Sequence, residues 1–343
     1  MLWRNVTGLK QVYYDEQFET VTIRTNFSVN DLDLAGTNLL NGFEPVQSIY
    51  KIIDEKPDSR VCLVRESSIG DILLMTPVIY HIKEHFPLCR IDIATGDQYL
   101  PLHEHVAFVR PVKIQKIKFE TYDMGYDFNL SLERAERRGW GRECHRSDIY
   151  AKLLGIELDE YKYDIPISKR ERDVAKEILH EKGYTEGPLI GYQLRGASAS
   201  RSMPISKIKK TVQKLTHEKI SVVLFDGSRN AGWNGEGIIN TCGMLDMRSL
   251  FAMIDCCDLV VSTDSGITHI AGALGKKNVA FYACIPAENR VKYENCKVVD
   301  LASAYGCKPC WESGERCGQK WSCLREADDK LIYDNIMAEV ETR

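Results

Sequence analysis

The sequence predicts an α/β protein with two Rossmann-like domains, each a parallel sheet covered by helices on both faces. Three observations support this fold class. Short apolar runs alternate with helical segments from residue 60 onward, as they do in parallel sheets. Polar turns follow several of these runs, where helices should begin. The chain has 343 residues, enough for two domains with separate cores. We expect two sheets of comparable size that face each other across a cleft.

The first α/β set begins at residue 60. Residues 61–64 form an apolar strand, and the helix that follows carries apolar residues at alternating spacings of three and four. Pro77 lies inside this helix and should kink it or tighten its first turns. The other elements predicted in this half are strands at 90–94 and 127–132 and a helix at 147–154.

The second α/β set begins near Glu171, while residues 1–58 differ from both sets. In that first segment, residues 18–27 alternate as a strand does, and a polar, turn-rich stretch follows. The elements predicted in the second set are strands at 189–192, Ser221–Phe225, 259–261 and Asn278–Tyr282, and helices at 172–182, from Ile205, and at Met247–Cys256.

Composition and charge restrict the classes of function. The chain is 44% apolar and 27% charged, with a formal net charge of -4. A nucleic-acid binder should show a basic excess or a basic stripe, so this balance disfavours one. No window approaches the roughly 20 apolar residues of a membrane span, and the N-terminal segment lacks the apolar core of a signal peptide. We therefore expect a cytoplasmic protein that does not span a membrane.

The segment DLVVSTDSGITHIAGALG (258–275) is the most informative in the chain. An apolar strand leads into residues 262–266, which supply capping side chains and a glycine where a helix begins. Gly275 then ends the helix. Exposed N–H groups and the helix dipole favour an anion at such a turn, so a nucleotide diphosphate is expected there. An ordinary capped helix is the alternative interpretation.

The loop RESSIGD (65–71) follows the first strand of the α/β pattern. Gly70 permits a tight turn, and Asp71 falls at the start of the next helix. Asp is a favoured N-cap residue, which gives it a purely structural interpretation. The carboxyl edge of a parallel sheet is also where α/β active sites form, and a carboxylate there could accept a proton from a substrate hydroxyl. Both interpretations stay open at this point.

Four segments occur in the order typical of one known family. They are VCLVRESSIGDILLMTPVIYHIKEHFP (61–87), HRSDIYAKLLGI (145–156), IGYQLRGASASRSMP (190–204) and the segment 258–275. Through them the chain resembles the glycosyltransferase family that holds the ADP-heptose:lipopolysaccharide heptosyltransferases. The resemblance implies a GT-B fold in which the first domain mainly handles the acceptor and the second the nucleotide sugar. It also implies an inverting transfer that needs no catalytic divalent metal.

The resemblance assigns roles residue by residue. Asp71 matches the general base, which deprotonates the acceptor hydroxyl as it attacks the anomeric carbon. A basic residue in the loop 190–204 would neutralise the leaving diphosphate, where charge develops in the transition state. The residues implied in donor binding are Ser68, Gly70, Arg195, Ser198, Arg201, Asp264, Ser265, Gly266, Thr268 and His269.

The chain departs from the family pattern in the loop of the second domain. The family usually has H-P-G-A-S, whereas this chain has QLRGAS at 193–198. Loss of the proline changes the backbone, and Arg195 adds a second cation near the phosphates. For His269, in the first turn of its helix, a neutral histidine at the edge of the core and a diphosphate contact are both consistent with the sequence.

Twelve cysteines are many for a cytosolic protein. Eight are scattered through core-like segments, where free cysteine serves as a small apolar residue. The other four, Cys307, Cys310, Cys317 and Cys323, begin with a C-x2-C pair and suit a tetrahedral metal site. A reducing cytosol favours metal over disulfides. The segment resembles the C-terminal finger of bacterial autotransporter heptosyltransferases, where the metal is iron, although four thiolates suit zinc equally.

The leading hypothesis is an inverting glycosyltransferase that moves a sugar to a hydroxyl of a glycan or protein acceptor, with ADP-heptose as the expected donor. A homo-oligomer is left open. A non-catalytic protein that binds a nucleotide sugar or a metal is the alternative from another class, because fold alone does not establish activity. The expected segments are an N-terminal extension (1–58), an acceptor domain (59–168), a nucleotide-sugar domain (169–300), a four-cysteine finger (301–325) and a C-terminal helix (326–343).

Overall fold

The structure is a computed structural model. It describes three strands within the first 23 residues, then residues 49–118, 121–229, 232–311, Cys317 and 320–341. The chain divides into two compact units, Met1–Lys162 and Tyr163–Arg343. Each unit is organised around one sheet. None of the described helices is both long and apolar enough to cross a lipid bilayer.

Seven strands form the sheet of the first unit. They are β1 (Leu2–Val6), β2 (Leu9–Tyr13), β3 (Val21–Ile23), β4 (Arg60–Val64), β5 (Arg90–Thr95), β6 (Val109–Lys113) and β7 (Met124–Asp127). Their order is β3-β2-β1-β7-β4-β5-β6. Strands β4 to β7 pair in parallel, and β1 adds antiparallel to β7. The N-terminal strands therefore extend the edge of the Rossmann-like sheet. Of the strand pattern predicted at 18–27, only β3 lies within the described residues.

Five α-helices are described in this unit: α1 (Ile49–Glu55), α2 (Ile69–Leu74), α3 (Thr76–His85), α4 (Ser131–Arg137) and α5 (Arg146–Leu153). The single helix predicted after the first strand is divided at Met75, and Pro77 lies in the first turn of α3. Proline is tolerated there because the first helical N–H groups have no partner in the helix.

The strand predicted at 127–132 is wrong. Strand β7 ends at Asp127, whose side chain accepts a hydrogen bond of 2.8 Å from the N–H of Asn129. This local bond turns the chain, as Asp side chains commonly do after a strand. Leu130 then adopts a left-handed conformation, and α4 begins at Ser131.

The second unit has a fully parallel sheet. Its strands are β8 (Leu189–Gln193), β9 (Ser221–Phe225), β10 (Ile238–Asn240), β11 (Leu259–Thr263), β12 (Asn278–Tyr282) and β13 (Cys296–Asp300), in the order β10-β9-β8-β11-β12-β13. Every residue of β8, β11 and β12 is buried, as expected for strands covered on both faces. The four strands predicted in this half are confirmed, while β10 and β13 were not predicted.

The helices of the second unit cover this sheet. They are α6 (Lys169–Glu181), α7 (Ile205–His217), α8 (Met247–Cys256), α9 (Gly266–Ala273), α10 (Leu301–Ala304), α11 (Ser322–Arg325) and α12 (Asp329–Glu341). Helix α12 returns to the core, where Ile332 and Ile336 are buried with Ile208 and Val212 of α7. Lys207 fixes its start by donating to Asp329 at 2.8 Å.

Candidate active site

Each unit has one point where the order of its parallel strands reverses. In the first unit the chain runs outward from β4 to β6 and returns to the other side of β4 as β7. In the second it runs outward from β8 to β10 and returns beside β8 as β11. Ligand sites of open α/β sheets form beyond the carboxyl ends of the strands at such points. The residues that follow these four strands are therefore the first candidates.

Asp71 lies at the reversal point of the first unit and is 5% exposed. Arg65, the residue directly after β4, donates from Nη2 to Asp71 Oδ2 at 2.6 Å. The same nitrogen donates to Glu133 Oε1 at 2.9 Å, and Nη1 donates to the carbonyl oxygen of Phe128 at 3.1 Å, just after β7. Arg65 thus joins the ends of the two strands to the carboxylate.

A second arginine binds the other oxygen of the same carboxylate. Arg146, the first residue of α5, donates from Nη1 to Asp71 Oδ1. Its Nε and Nη2 donate to Glu136 at 2.9 and 3.0 Å. The result is one continuous series, Glu133–Arg65–Asp71–Arg146–Glu136, which we call the carboxylate–arginine chain. It orients both oxygens of Asp71 through charge-assisted hydrogen bonds.

The charges in this chain stabilise one another. Burial opposes the charged form of Arg65, yet its neighbours Tyr150, Asp71 and Glu133 together raise its pKa above the usual value. Burial also opposes the charge of Arg146, but Asp71 and Glu136 raise its pKa. For Glu133, the effect of burial is outweighed by the hydrogen bond from Arg65, which lowers its pKa. The buried ions are therefore compensated by partners, as buried charges must be.

A simple capping role does not account for Asp71. The N-cap of α2 is Ser68, and its side chain makes no capping hydrogen bond. Asp71 is the third residue of the helix. The left-handed backbone of the turn lies at Ser68, with a φ of 78°, and not at Gly70, which is buried within α2. The expectation that Gly70 provides the tight turn is therefore wrong.

At the reversal point of the second unit, Gln193 connects two loops. It is the last residue of β8, and its Oε1 accepts from the N–H of Thr263 at 3.2 Å and from Ser265 Oγ at 2.7 Å. Its Nε2 donates to the carbonyl oxygen of Arg195 at 2.8 Å. One amide therefore holds the end of β11 against the loop that follows β8.

The turn before α9 is built from hydroxyl groups. Thr268 Oγ1 donates to the carbonyl oxygen of Thr263 at 2.6 Å and lies 2.8 Å from Ser262 Oγ, so this buried side chain supports the turn. Ser265 is the N-cap residue of α9, but its side chain makes no capping bond, because its hydroxyl donates to Gln193. The prediction of a capping side chain is therefore wrong for Ser265. Gly266 begins the helix as predicted.

Arg201 and Asp264 also lie at this turn. Their charged groups are 3.9 Å apart, and the carbonyl oxygen of Arg201 accepts from Thr263 Oγ1 at 2.6 Å. Ser198 lies in the same loop, with its Oγ 2.8 Å from that of Ser200. His269 is buried, and its Nδ1 is 3.0 Å from the hydroxyl of Tyr293. The turn thus gathers a cation, a buried carboxylate and several hydroxyl groups.

Beside this turn lies a cavity of about 120 Å³. Arg195 forms a two-pronged ion pair across it with Asp226, at 2.6 and 2.8 Å, so its charge is already balanced. This cavity, which we call the β8–β9 cavity, is lined by Gln193, Arg195, Phe225, Asp226, Gly227, Thr241, Leu245, Leu250 and Ile267.

Several residues of both sites were not predicted from the sequence. Gln193, Arg65 and Asp226 each stand at or directly after the carboxyl end of a parallel strand, a position that could have identified them. Glu133, Glu136 and Arg146 lie on helices, and the sequence carries no signal that brings them to Asp71.

Part of the chain, from the start of α5 to the cysteine-rich segment, matches a known enzyme family. A family profile described as Glycosyltransferase family 9 (heptosyltransferase) matches residues 145–320, just over half of the chain. The chain belongs to glycosyltransferase family 9. It is 24% identical over 289 residues to lipooligosaccharide heptosyltransferase 2 of Haemophilus ducreyi, covering 65% of this chain and 83% of that protein.

Solved structures show the fold of this family 9 glycosyltransferase. Heptosyltransferase II of E. coli superposes with a TM-score of 0.64 at 16% identity, covering 82% of this chain and 99% of that one. The iron-containing dodecameric glycosyltransferase TibC of enterotoxigenic E. coli gives a TM-score of 0.65 at 11% identity, covering 83% and 76%. The predicted GT-B fold is thereby confirmed.

The cysteine-rich segment of the family 9 chain is partly described, since residues 312–316 and 318–319 lie outside the described residues. Its cysteines are near one another: burial raises the pKa of the Cys323 thiol, and Cys307, Cys317 and Cys310 raise it further. Cys317 Sγ accepts from the N–H of Trp321 at 3.3 Å. The cysteines of the described residues form no disulfide.

Among the described residues, one group of three or more potential metal ligands has its ligand atoms within 4.8 Å of one another. That group is His81, His85 and Asp159, in the first unit. No three of the four cysteines of the C-terminal segment, all of them among the described residues, form such a group.

Proposed function

We propose that this glycosyltransferase is an inverting heptosyltransferase that moves heptose from ADP-heptose to a hydroxyl group of a glycan or protein. The relatives matched by sequence are heptosyltransferases. Among the structural neighbours, one TibC structure holds ADP-D-β-D-heptose and E. coli heptosyltransferase WaaC holds ADP. These ligands support an adenosine diphosphate sugar as the donor class for this chain.

The buried carboxylate of Asp71, held at both oxygens by Arg65 and Arg146, is the observation that carries the proposal. Asp71 would act as the general base. Its position at the strand-reversal point suits an acceptor hydroxyl, and the two guanidinium groups fix the direction of the carboxylate through hydrogen bonds to both of its oxygens. As the hydroxyl oxygen attacks the anomeric carbon, its proton passes to Asp71, and the bond to the diphosphate breaks on the opposite face. Attack from that side inverts the configuration.

The turn before α9 would hold the diphosphate of the donor. Arg201 places a cation there, and the first N–H groups of α9 have no carbonyl partner in the helix. Negative charge grows on the diphosphate as it leaves, so a fixed cation and fixed donors at this point lower the barrier. The hydroxyl group of Ser198 adds a further donor, while Ser265, whose hydroxyl donates to Gln193, would contribute its backbone N–H. The other residues predicted to bind the donor are Asp264, Gly266, Thr268 and His269. They belong to the same turn and would share this role, Thr268 by supporting the backbone.

The β8–β9 cavity would receive part of the nucleoside. Leu245, Leu250 and Ile267 offer an apolar surface for a base, while Asp226 offers acceptors for ribose hydroxyl groups. Arg195, which was predicted to meet the phosphates, is paired with Asp226 and would act here mainly by orienting that carboxylate.

The cysteine-rich segment would hold a structural iron or zinc ion through Cys307, Cys310, Cys317 and Cys323. Four thiolates are a complete set for a tetrahedral site, and the hydrogen bond from Trp321 to Cys317 is the kind of support that orients a ligand. The iron in TibC supports the choice of metal class. The ion would stabilise the segment, and no step of the transfer passes through it.

A donor panel with a matched pair of variants tests the transferase proposal. The purified chain is incubated with ADP-heptose and with UDP-, GDP- and dTDP-sugars, and nucleotide release is followed with and without cell lysate as the acceptor source. We expect release from ADP-heptose, and Asp71→Asn should reduce it by about 10²-fold or more. The exposed Asp58 provides the control Asp58→Asn, which should leave the rate unchanged.

Asn is chosen at position 71 because Ala would leave Arg65 and Arg146 facing an empty space. Both substitutions remove the negative charge, at a cost of typically about 3–5 kcal/mol, but Asn keeps an oxygen that can accept from an arginine, and far-ultraviolet circular dichroism verifies that the variant is folded. A rate for Asp71→Asn equal to that of the wild type would assign the base to another residue. Release from none of the donors, with any lysate, would favour a binding protein without transferase activity.

A further inference from the structure

A cluster of metal-ligand side chains lies in the first unit, outside the carboxylate–arginine chain. His81 and His85 are four residues apart on α3, so their side chains share one face of the helix. Asp159 comes from the segment that follows α5 and leads out of the unit. One ligand atom from each of the three lies within 4.8 Å of the others.

A hydrogen bond to the helix backbone determines which nitrogen of the His85 ring carries the proton. Its Nδ1 lies 3.0 Å from the carbonyl oxygen of His81, which can only accept, so Nδ1 carries the proton of the neutral ring. Nε2 then presents a lone pair. Histidines that bind metals usually donate their other ring N–H to a carbonyl or carboxylate in this way.

His81 is held in place by packing. Its side chain is buried, and its ring stacks on that of His85, with centroids 4.1 Å apart and an angle of 24° between the planes. The hydroxyl of Tyr50, on α1, contacts Nε2 of His81, so this ring would offer Nδ1 to an ion while Nε2–H donates to the hydroxyl. One ligand is therefore fixed, while His85 and Asp159 are exposed and have room to adjust.

We propose that His81, His85 and Asp159 bind one divalent transition-metal ion of the Zn²⁺ class, with water completing the coordination. Two imidazoles and one carboxylate are a typical three-ligand set for Zn²⁺, whereas Ca²⁺ and Mg²⁺ prefer oxygen ligands alone. Ligands about 2.0–2.1 Å from a tetrahedral ion are about 3.3 Å apart. Small movements of the two exposed side chains close the present spacing to that value.

The ion would fasten the end of the first unit to α3. The segment around Asp159 is already attached to α5 through a contact between the hydroxyl of Tyr161 and Asp148. A metal bond from Asp159 to α3 would add a second attachment across the same segment. The effect of the ion is therefore expected on the stability of this segment and not on a chemical step.

Metal titration of the full chain tests the site. Apo-protein is titrated with Zn²⁺ by calorimetry and with Co²⁺ by absorbance, for the wild type, His85→Gln, Asp159→Asn and the control His180→Gln. His180 is an exposed histidine on α6 and lies in the other unit. Because thiolate-bound Co²⁺ has an intense near-ultraviolet charge-transfer band and a His/Asp site does not, the two kinds of site are counted separately.

We expect one binding event without a thiolate band in the wild type and in His180→Gln. In His85→Gln and Asp159→Asn, that binding event should be lost, or its affinity should fall at least about tenfold. A loss of this size is typical even when only a residue that supports a metal ligand is removed. The thiolate band should stay unchanged. Equal stoichiometry and affinity in all four proteins would overturn the proposal, as would the absence of any event without a thiolate band in the wild type. Both altered residues are exposed, so the variants are expected to fold, which far-ultraviolet circular dichroism verifies.

Discussion

At the scale of single residues, the outer glutamates of the carboxylate–arginine chain bind the two arginines that hold Asp71. Glu133 binds Arg65 at 2.9 Å, so Glu133→Gln removes a charge that holds this guanidinium in place. We expect kcat to fall about tenfold or more, because a small displacement of a reacting group is costly, with little change in donor KM. Steady-state kinetics on ADP-heptose provide the measurement, and Glu133→Asp should restore part of the rate.

Glu143 offers the matched control, because it lies on the same stretch of chain and is exposed. Glu143→Gln should leave kcat unchanged. If Glu133→Gln lowered kcat no more than Glu143→Gln does, the carboxylate–arginine chain would have to be regarded as a structural feature without a positioning role.

His103 gives a residue-level prediction for pH. Burial lowers its pKa from 6.5 to about 4, so the ring is neutral in the folded chain at neutral pH. The unfolded chain binds a proton at a higher pH, so stability is lost as pH falls from about 6.5 to about 4, by about 3 kcal/mol in total. Urea unfolding at pH 7 and pH 4.5 should show a larger loss for the wild type than for His103→Gln. Equal losses of unfolding free energy in the two proteins would contradict the assignment of this pH dependence to His103.

The sequence indicated Asp71 and much of the turn before α9 because their positions follow local patterns. The side chains that act on them could not be found in that way. Arg146 and Glu136 are separated from Asp71 by more than 60 residues, and a charged residue on a helix normally indicates a solvated face. Only the packing of α5 against α2 and of α4 against α5 brings these charges together, so that each lies beside a partner of opposite charge.

At the scale of elements, a metal bound by four cysteines would add to the order of the cysteine-rich segment, because the free energy of metal binding stabilises the folded form of such a site. In Cys307→Ser/Cys310→Ser, we expect loss of the thiolate-bound metal and lower resistance of this segment to proteolysis. Elemental analysis and thiolate absorbance measure the metal and distinguish iron from zinc. The half-buried Cys256 supplies the control Cys256→Ser. An unchanged metal content in the double variant would contradict the proposed site.

Elements were predictable from the sequence where one local signal dominates. Four buried strands of the second unit follow from their apolar runs, whereas β10, with three residues, is too short to give a pattern. Pro77 predicts a break in the helix, but it does not predict that the break between α2 and α3 falls at Met75. Pairing of β1 with β7 joins residues about 120 positions apart, and such register depends on tertiary contacts that no local pattern reports.

At the scale of the whole molecule, two units with separate sheets should respond differently to a nucleotide. A ligand stabilises the unit that binds it, by about 2.7 kcal/mol when its concentration is about 100 times Kd. We expect ADP to raise the unfolding temperature of the second unit, which contains the turn before α9 and the β8–β9 cavity, and to leave that of the first unaffected. Differential scanning calorimetry of the full chain, analysed as two transitions, measures this.

Two variants then assign the shift to its source. Asp226→Asn changes the β8–β9 cavity and should reduce the shift caused by ADP, because a ribose bound there would lose a carboxylate acceptor that Arg195 orients. Asp71→Asn lies in the other unit and should preserve the shift even though it removes transfer. A shift lost equally in both variants would mean that ADP binding requires the first unit, and the division of labour between the two sites would have to be abandoned. A shift with UDP as large as that with ADP would instead leave the division intact and refute the choice of nucleotide.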